Sequence, residues 1–123
     1  MSTSTRQETR PIRLLGPVDY SLIQLSAQLA TAGELIYSYS GAANTNPLPP
    51  TPIAVKRGFI VIQVALAANG TLTLALNGIT FTLNGGISLT GGALYEFWVS
   101  VNDGDTIQVQ SAAGITWLRL FQR

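Results

Sequence analysis

Residues 59–101 read FIVIQVALAA, NG, TLTLAL, NG, ITFTL, NGG, ISLT, GG, ALYEFWVSV: short apolar runs cut by Asn-Gly and Gly-Gly. Leu72, Leu74 and Leu76 alternate with Thr71, Thr73 and Ala75, and Ile79, Phe81 and Leu83 alternate with Thr80 and Thr82. A period of two puts successive side chains on opposite faces of an extended chain, so each run can bury one face and wet the other. Asn69-Gly70, Asn77-Gly78 and Asn84-Gly85 are pairs that accept the positive φ of two-residue hairpins. The stretch is expected to be an antiparallel meander, which confines the chain to an all-β class.

The flanks extend the same pattern. After the meander, Asn102-Asp103-Gly104-Asp105 turns the chain into a run from Thr106 to Gln110. Ser111-Ala112-Ala113-Gly114 turns it again into a last run, Ile115 to Phe121. Upstream, Glu34 to Ser40 is an aromatic-bearing strand, and residues 41–52, with four prolines, form an extended connection across one end of the fold. Between Tyr20 and Ala32 two periods compete. Val18, Leu22, Leu25 and Leu29 have helical spacing behind Asp19, yet residues 23–29 alternate strictly, and the strand reading agrees with the rest of the chain. The whole describes about eight to ten short strands with frequent turn signals: an antiparallel β-sandwich or jelly-roll-like domain over residues 19–123. The near-repeat LALNG, FTLNGG, SLTGG also fits a piece of a trimeric β-spiral, in which single chains enclose no core.

Charge narrows the function. Only 11% of the 123 residues are charged, against roughly 25% in ordinary soluble domains, and none lies between Gly58 and Tyr95. Strand edges without lysine or glutamate invite pairing, so the chain is expected to associate with itself, as a homotrimer, or with a partner. A net charge of +1 offers no field for nucleic acid or an anionic membrane. Without histidine or cysteine the commonest general base and the soft metal ligands are missing. No catalytic, cofactor or metal residues are assigned. Glu34 with Glu96 makes a glycosidase pair only if folding brings them together, and the 102–105 turn holds too few acids for a calcium loop. The N-terminus has no apolar signal region, so synthesis in the cytoplasm is expected. The apolar run 59–68 is interrupted by Gln63 and too short for a spanning helix.

Residues 1–18 differ in tone. A polar start rich in Ser and Thr gives way to Arg10-Pro11-Ile12-Arg13-Leu14-Leu15, where prolines forbid a continuous helix. As an arm on a neighbouring subunit, Arg6, Arg10 and Arg13 would meet carboxylates, while Pro11, Ile12, Leu14 and Leu15 would anchor apolar surface. The same residues also read as a first edge strand of the domain's own sheet. Tyr37, Tyr39, Trp98 and Trp117 are either core or a sugar-stacking platform, with Tyr37, Tyr39 and Trp98 the glycan candidates.

A polar N-terminus, an arginine-proline arm, a charge-poor β-sandwich and a terminal apolar strand, with residues 30–34 (ATAGE), 92–97 (GALYEF) and 104–107 (GDTI), together resemble small virion proteins of tailed phages. The capsid decoration, or cement, proteins are the nearest class, followed by head-fibre and tail-fibre modules. The resemblance implies a non-enzymatic trimer on the capsid surface, made in the host cytoplasm, that ties neighbouring major capsid subunits together. The fibre alternative implies a module that binds host-surface carbohydrate.

Overall fold

The computed structural model describes residues 12–15 and 33–123. They form nine strands: β1 (Ile12–Leu15), β2 (Glu34–Asn44), β3 (Leu48–Ala54), β4 (Gly58–Leu66), β5 (Thr73–Leu76), β6 (Ile79–Thr82), β7 (Leu94–Val101), β8 (Thr106–Gln110) and β9 (Ile115–Gln122). Two antiparallel sheets result, one of five strands in the order β1-β7-β4-β9-β2 and one of four in the order β3-β8-β5-β6. The expected all-β sandwich is what forms. The strand expected between Tyr20 and Ala32 and the arm residues Arg6, Arg10 and Pro11 lie outside the described residues.

The pairing follows a simple rule. β5 pairs β6, β4 pairs β7, β3 pairs β8 and β2 pairs β9, so 34–122 is one long antiparallel hairpin with its tip at Asn77-Gly78. That hairpin is rolled over itself, which adds the β4–β9 and β5–β8 ladders and splits it into two sheets. At the tip Asn77 and Gly78 have φ of 54° and 78°, both central residues positive as a two-residue turn between right-twisted strands requires.

The meander expected over 59–101 is therefore corrected, since only β5 and β6 pair as chain neighbours there. The physical reason is β4, in which residues 60–66 are all buried. A strand apolar on both faces belongs in the middle of a sheet, and β4 sits between β7 and β9. Asn69-Gly70 makes no hairpin. Gly70 instead exchanges hydrogen bonds with Leu89, and a Cβ there would stand 2.5 Å from that of Ala113. Asn84 and Gly85, at φ of 58° and 63°, belong to a 3-10 turn at Leu83–Gly86. The proline-rich connection is also corrected. Its second half is β3, at the outer edge of the four-stranded sheet, where a missing N–H removes no ladder bond.

Alternation sorts side chains between the sheets. Ile60, Ile62, Val64 and Leu66 of β4, Tyr95, Phe97, Val99 and Val101 of β7, and Leu118 and Leu120 of β9 meet Leu74 of β5 and Ile107 and Val109 of β8 in one continuous core. One chain thus encloses its own core, contrary to the β-spiral alternative.

Candidate functional site

The residues that carry chemistry gather on the other face of the five-stranded sheet. Three largely apolar strands are each interrupted near their middle by a long polar side chain: Gln63 in β4, Glu96 in β7 and Arg119 in β9. Register brings them into one row, because Gln63 lies opposite both Glu96 and Arg119, and the row continues to Ser38 on β2 and Ile12 on β1. Gln63 is 0% exposed. Its Nε2 donates to Glu96 Oε1 at 3.0 Å, and the indole Nε1 of Trp98 donates to Glu96 Oε2 at 2.7 Å. One carboxylate thereby accepts from two neighbours, while Gln63 Oε1 has no hydrogen-bond partner. Arg119 donates to the backbone carbonyls of Tyr39 and Leu118 at 3.3 and 2.9 Å, and its guanidinium lies 4.6 Å from the ring centre of Trp117.

One turn of pleat further along, the face becomes aromatic. Trp98 meets Phe59 with ring centres 5.7 Å apart and a tilt of 59°, and Arg123 lies 5.2 Å from its ring centre. Val61 and Phe121 are buried beside it. Arg123 is tied to the start of β4 there, since Phe59 and Arg123 exchange backbone hydrogen bonds at 2.8 and 2.9 Å. These tilted-ring and cation–ring geometries are favourable, and they fix Trp98 in place.

The glycan candidates are not brought together. Tyr37 and Tyr39 pair with Leu120 and Leu118, pack half-buried against the main core, and stand on the inner face. Trp98 occupies the opposite face of the same sheet, so the three form no common platform. Tyr39 donates its hydroxyl to the carbonyl of Ala42 at 2.5 Å. Burial, then the neighbouring Tyr39, pushes the Tyr37 phenol above its ordinary range.

Of the arm candidates, Ile12, Arg13, Leu14 and Leu15 are β1, whose backbone pairs with β7 at the sheet edge. Glu34 and Glu96 lie on β2 and β7, three strand spacings apart or roughly 14 Å, outside the reach of a carboxylate pair. The 102–105 turn is a hydrogen-bonded tie. Asp105 accepts from the Asn77 side chain at 2.9 Å and from the Asn102 N–H at 2.8 Å, and Thr106 N–H donates to Asn77 Oδ1 at 2.9 Å. The Asn102 N–H and then the Asn77 amide hold the Asp105 carboxyl below its usual range. This lashes the hairpin tip to the β7–β8 turn. Among the described residues no group of three or more acids could hold a metal ion, and no helix is long and apolar enough to cross a membrane.

Gln63, Arg119, Phe59 and Arg123 join this site without having been marked as functional in the sequence. A signal existed, for each polar break interrupts a buried strand, but only register aligns the three. A second feature lies on the outer face of the four-stranded sheet, a shallow depression of about 230 Å³ lined by Pro47, Thr73, Thr80, Gln108 and Gln110 among others. Comparison with protein-family models, curated proteins and solved structures finds no match to this chain.

Proposed function

We propose that the chain is a non-enzymatic structural protein of a virus particle, a decoration or cement protein that associates with itself and binds the major capsid shell. The observation that carries this reading is the strand order. β2-β9-β4-β7 and β3-β8-β5-β6 is the order of a jelly roll, the rolled eight-stranded hairpin that builds viral capsid and lectin domains. Fold alone does not name a function; the charge-poor surface supports the structural choice within that set. A surface rich in Thr, Asn, Gln and aliphatics suits burial against protein, and the polar row of Gln63, Glu96 and Arg119 stiffens a sheet rather than opening a reactive cleft.

The test is stoichiometric. Purified particles of the virus that encodes the chain are expected to contain it in fixed ratio to the major capsid protein, and purified chain is expected to bind shells stripped of it. Absence from the particles refutes the proposal. Removing residues 1–11, which leaves β1 in place, then asks whether Arg6 and Arg10 drive attachment.

A fibre-type module that binds carbohydrate is the second reading. The depression beside Gln108 and Gln110 favours it, since neutral amides and hydroxyls around a hollow match a sugar's donors and acceptors. Glycan-array binding lost in Gln108→Ala selects this reading; an unchanged or blank array rejects it.

A further inference from the structure

Among the described residues four strand edges bound the two sheets, and three of them are protected. β1 carries Arg13. β2 begins with Glu34 and breaks register with β9 twice, between Leu35 and Tyr37 and between Ser40 and Asn44. β3 contains Pro49, Pro50 and Pro52, which have no N–H to offer. Charge, bulges and proline are the devices that keep edges from pairing. β6 has none of them. Its ladder with β5 is regular from Thr73↔Thr82 to Leu76↔Ile79, and among the described residues β5 is its only neighbour. All four of its residues are exposed, Ile79 at 63% and Phe81 at 48%.

We infer that β6 is the edge through which two copies of this chain associate, pairing antiparallel so that two four-stranded sheets become one of eight. The strand complements itself. Placing Thr80 opposite Thr80 of the second copy sets Ile79 opposite Phe81 and Phe81 opposite Ile79, with both apolar pairs on one face and threonines on the other. A slip of one residue sets Thr80 against Phe81 and mixes the faces, so this register is selected. Each of Ile79 and Phe81 offers on the order of 100 Å² of apolar surface, and the ladder supplies main-chain hydrogen bonds along the whole strand. No charge lies between residues 58 and 95, so the two-fold contact of this segment with its own copy opposes no like charges and buries none. Such an isologous edge closes as a pair, giving an even-numbered assembly in place of the homotrimer the sequence suggests. The inference rests on the self-association half of the function proposed above and not on capsid binding. Its test uses purified chain alone, so either can fail without the other.

The chain has no cysteine, which makes cross-linking clean. Directly opposed residues in an antiparallel pair are about 4.5–5.5 Å apart at Cα, inside the roughly 4.4–6.8 Å a disulfide spans. Under mild oxidation Thr80→Cys is expected to give a covalent dimer, whereas Thr51→Cys, also exposed but on the proline edge, is expected to stay a monomer on a non-reducing gel. Light scattering at micromolar concentration should show an even-numbered mass for the native chain and a monomer for Phe81→Lys, with an unchanged far-ultraviolet β spectrum. A native monomer or trimer overturns the inference. So does equal cross-linking of the two cysteine variants, or a folded Phe81→Lys that keeps the native mass.

Discussion

Removing the Glu96 carboxylate tests the polar row most directly. In Glu96→Ala the amide of Gln63, 0% exposed, loses the acceptor for its Nε2 while its Oε1 already lacks a partner. A buried amide with neither group satisfied costs about 1–3 kcal/mol, and a hydrogen bond to a charged group contributes about 1.5–3 kcal/mol. Trp98 loses its acceptor too, but both Trp98 and Glu96 are half-buried, so water recovers part of that bond. We expect Glu96→Ala to cost about 3–4 kcal/mol. Gln63→Leu behaves differently. It gives up one hydrogen bond, but it also removes the orphaned oxygen and buries more carbon, so its net cost should stay within about 1 kcal/mol. The double variant no longer holds an unsatisfied amide, and its cost should fall below the sum of the singles by about 2 kcal/mol. The lower strand preference of alanine enters both backgrounds equally and cancels from this difference. Urea unfolding of the four proteins, with constant slope, measures the cycle. Additivity within about 0.5 kcal/mol, or a Gln63→Leu variant less stable than Glu96→Ala, refutes the reasoning.

Four further outcomes follow from other parts of the fold. Because its folded-state pKa is depressed, Asp105 contributes stability that is present above the ordinary aspartate range near 3.9 and is lost as pH falls through the lower folded value; Asp105→Ala should therefore lower the urea midpoint at pH 7 and flatten its decline below about pH 4. Leu118→Ala, at a fully buried position between the sheets, should cost about 2–5 kcal/mol by thermal or urea unfolding. Gly78→Ala meets nothing within 4 Å but keeps a φ of +78°, so it should cost about 1–2 kcal/mol from conformation alone. Gly91→Ala, by contrast, puts its Cβ 2.7 Å from the Ala68 backbone and should cost about 1–3 kcal/mol through displacement of that segment.

Local chemistry was legible residue by residue. Alternation over Thr71–Leu76 and Ile79–Leu83 set which side chains share a face, and Asn77-Gly78 announced the one tight hairpin, because both depend only on neighbours a few bonds away. The inward faces of Tyr95 and Phe97 and the outward face of Glu96 followed from the same period. What the sequence could not decide was which strands lie side by side. Asn69-Gly70 and Asn84-Gly85 carry the same turn signal as Asn77-Gly78, yet they sit where the chain crosses between sheets. A residue pair that tolerates positive φ permits a hairpin without requiring one. Rolling the long hairpin placed β4 between β7 and β9, since a strand apolar on both faces is stabilised only with neighbours on both sides and cover on both faces. That placement aligned Glu96, Gln63 and Arg119, which lie 33 and 56 residues from one another along the chain, into a single row. It likewise left β6, among the described residues, at an open edge, while the prolines of β3 fell on the edge where they do least harm. Composition made the chain charge-poor and alternation made it all-β; only the tertiary roll decided which uncharged strand faces outward.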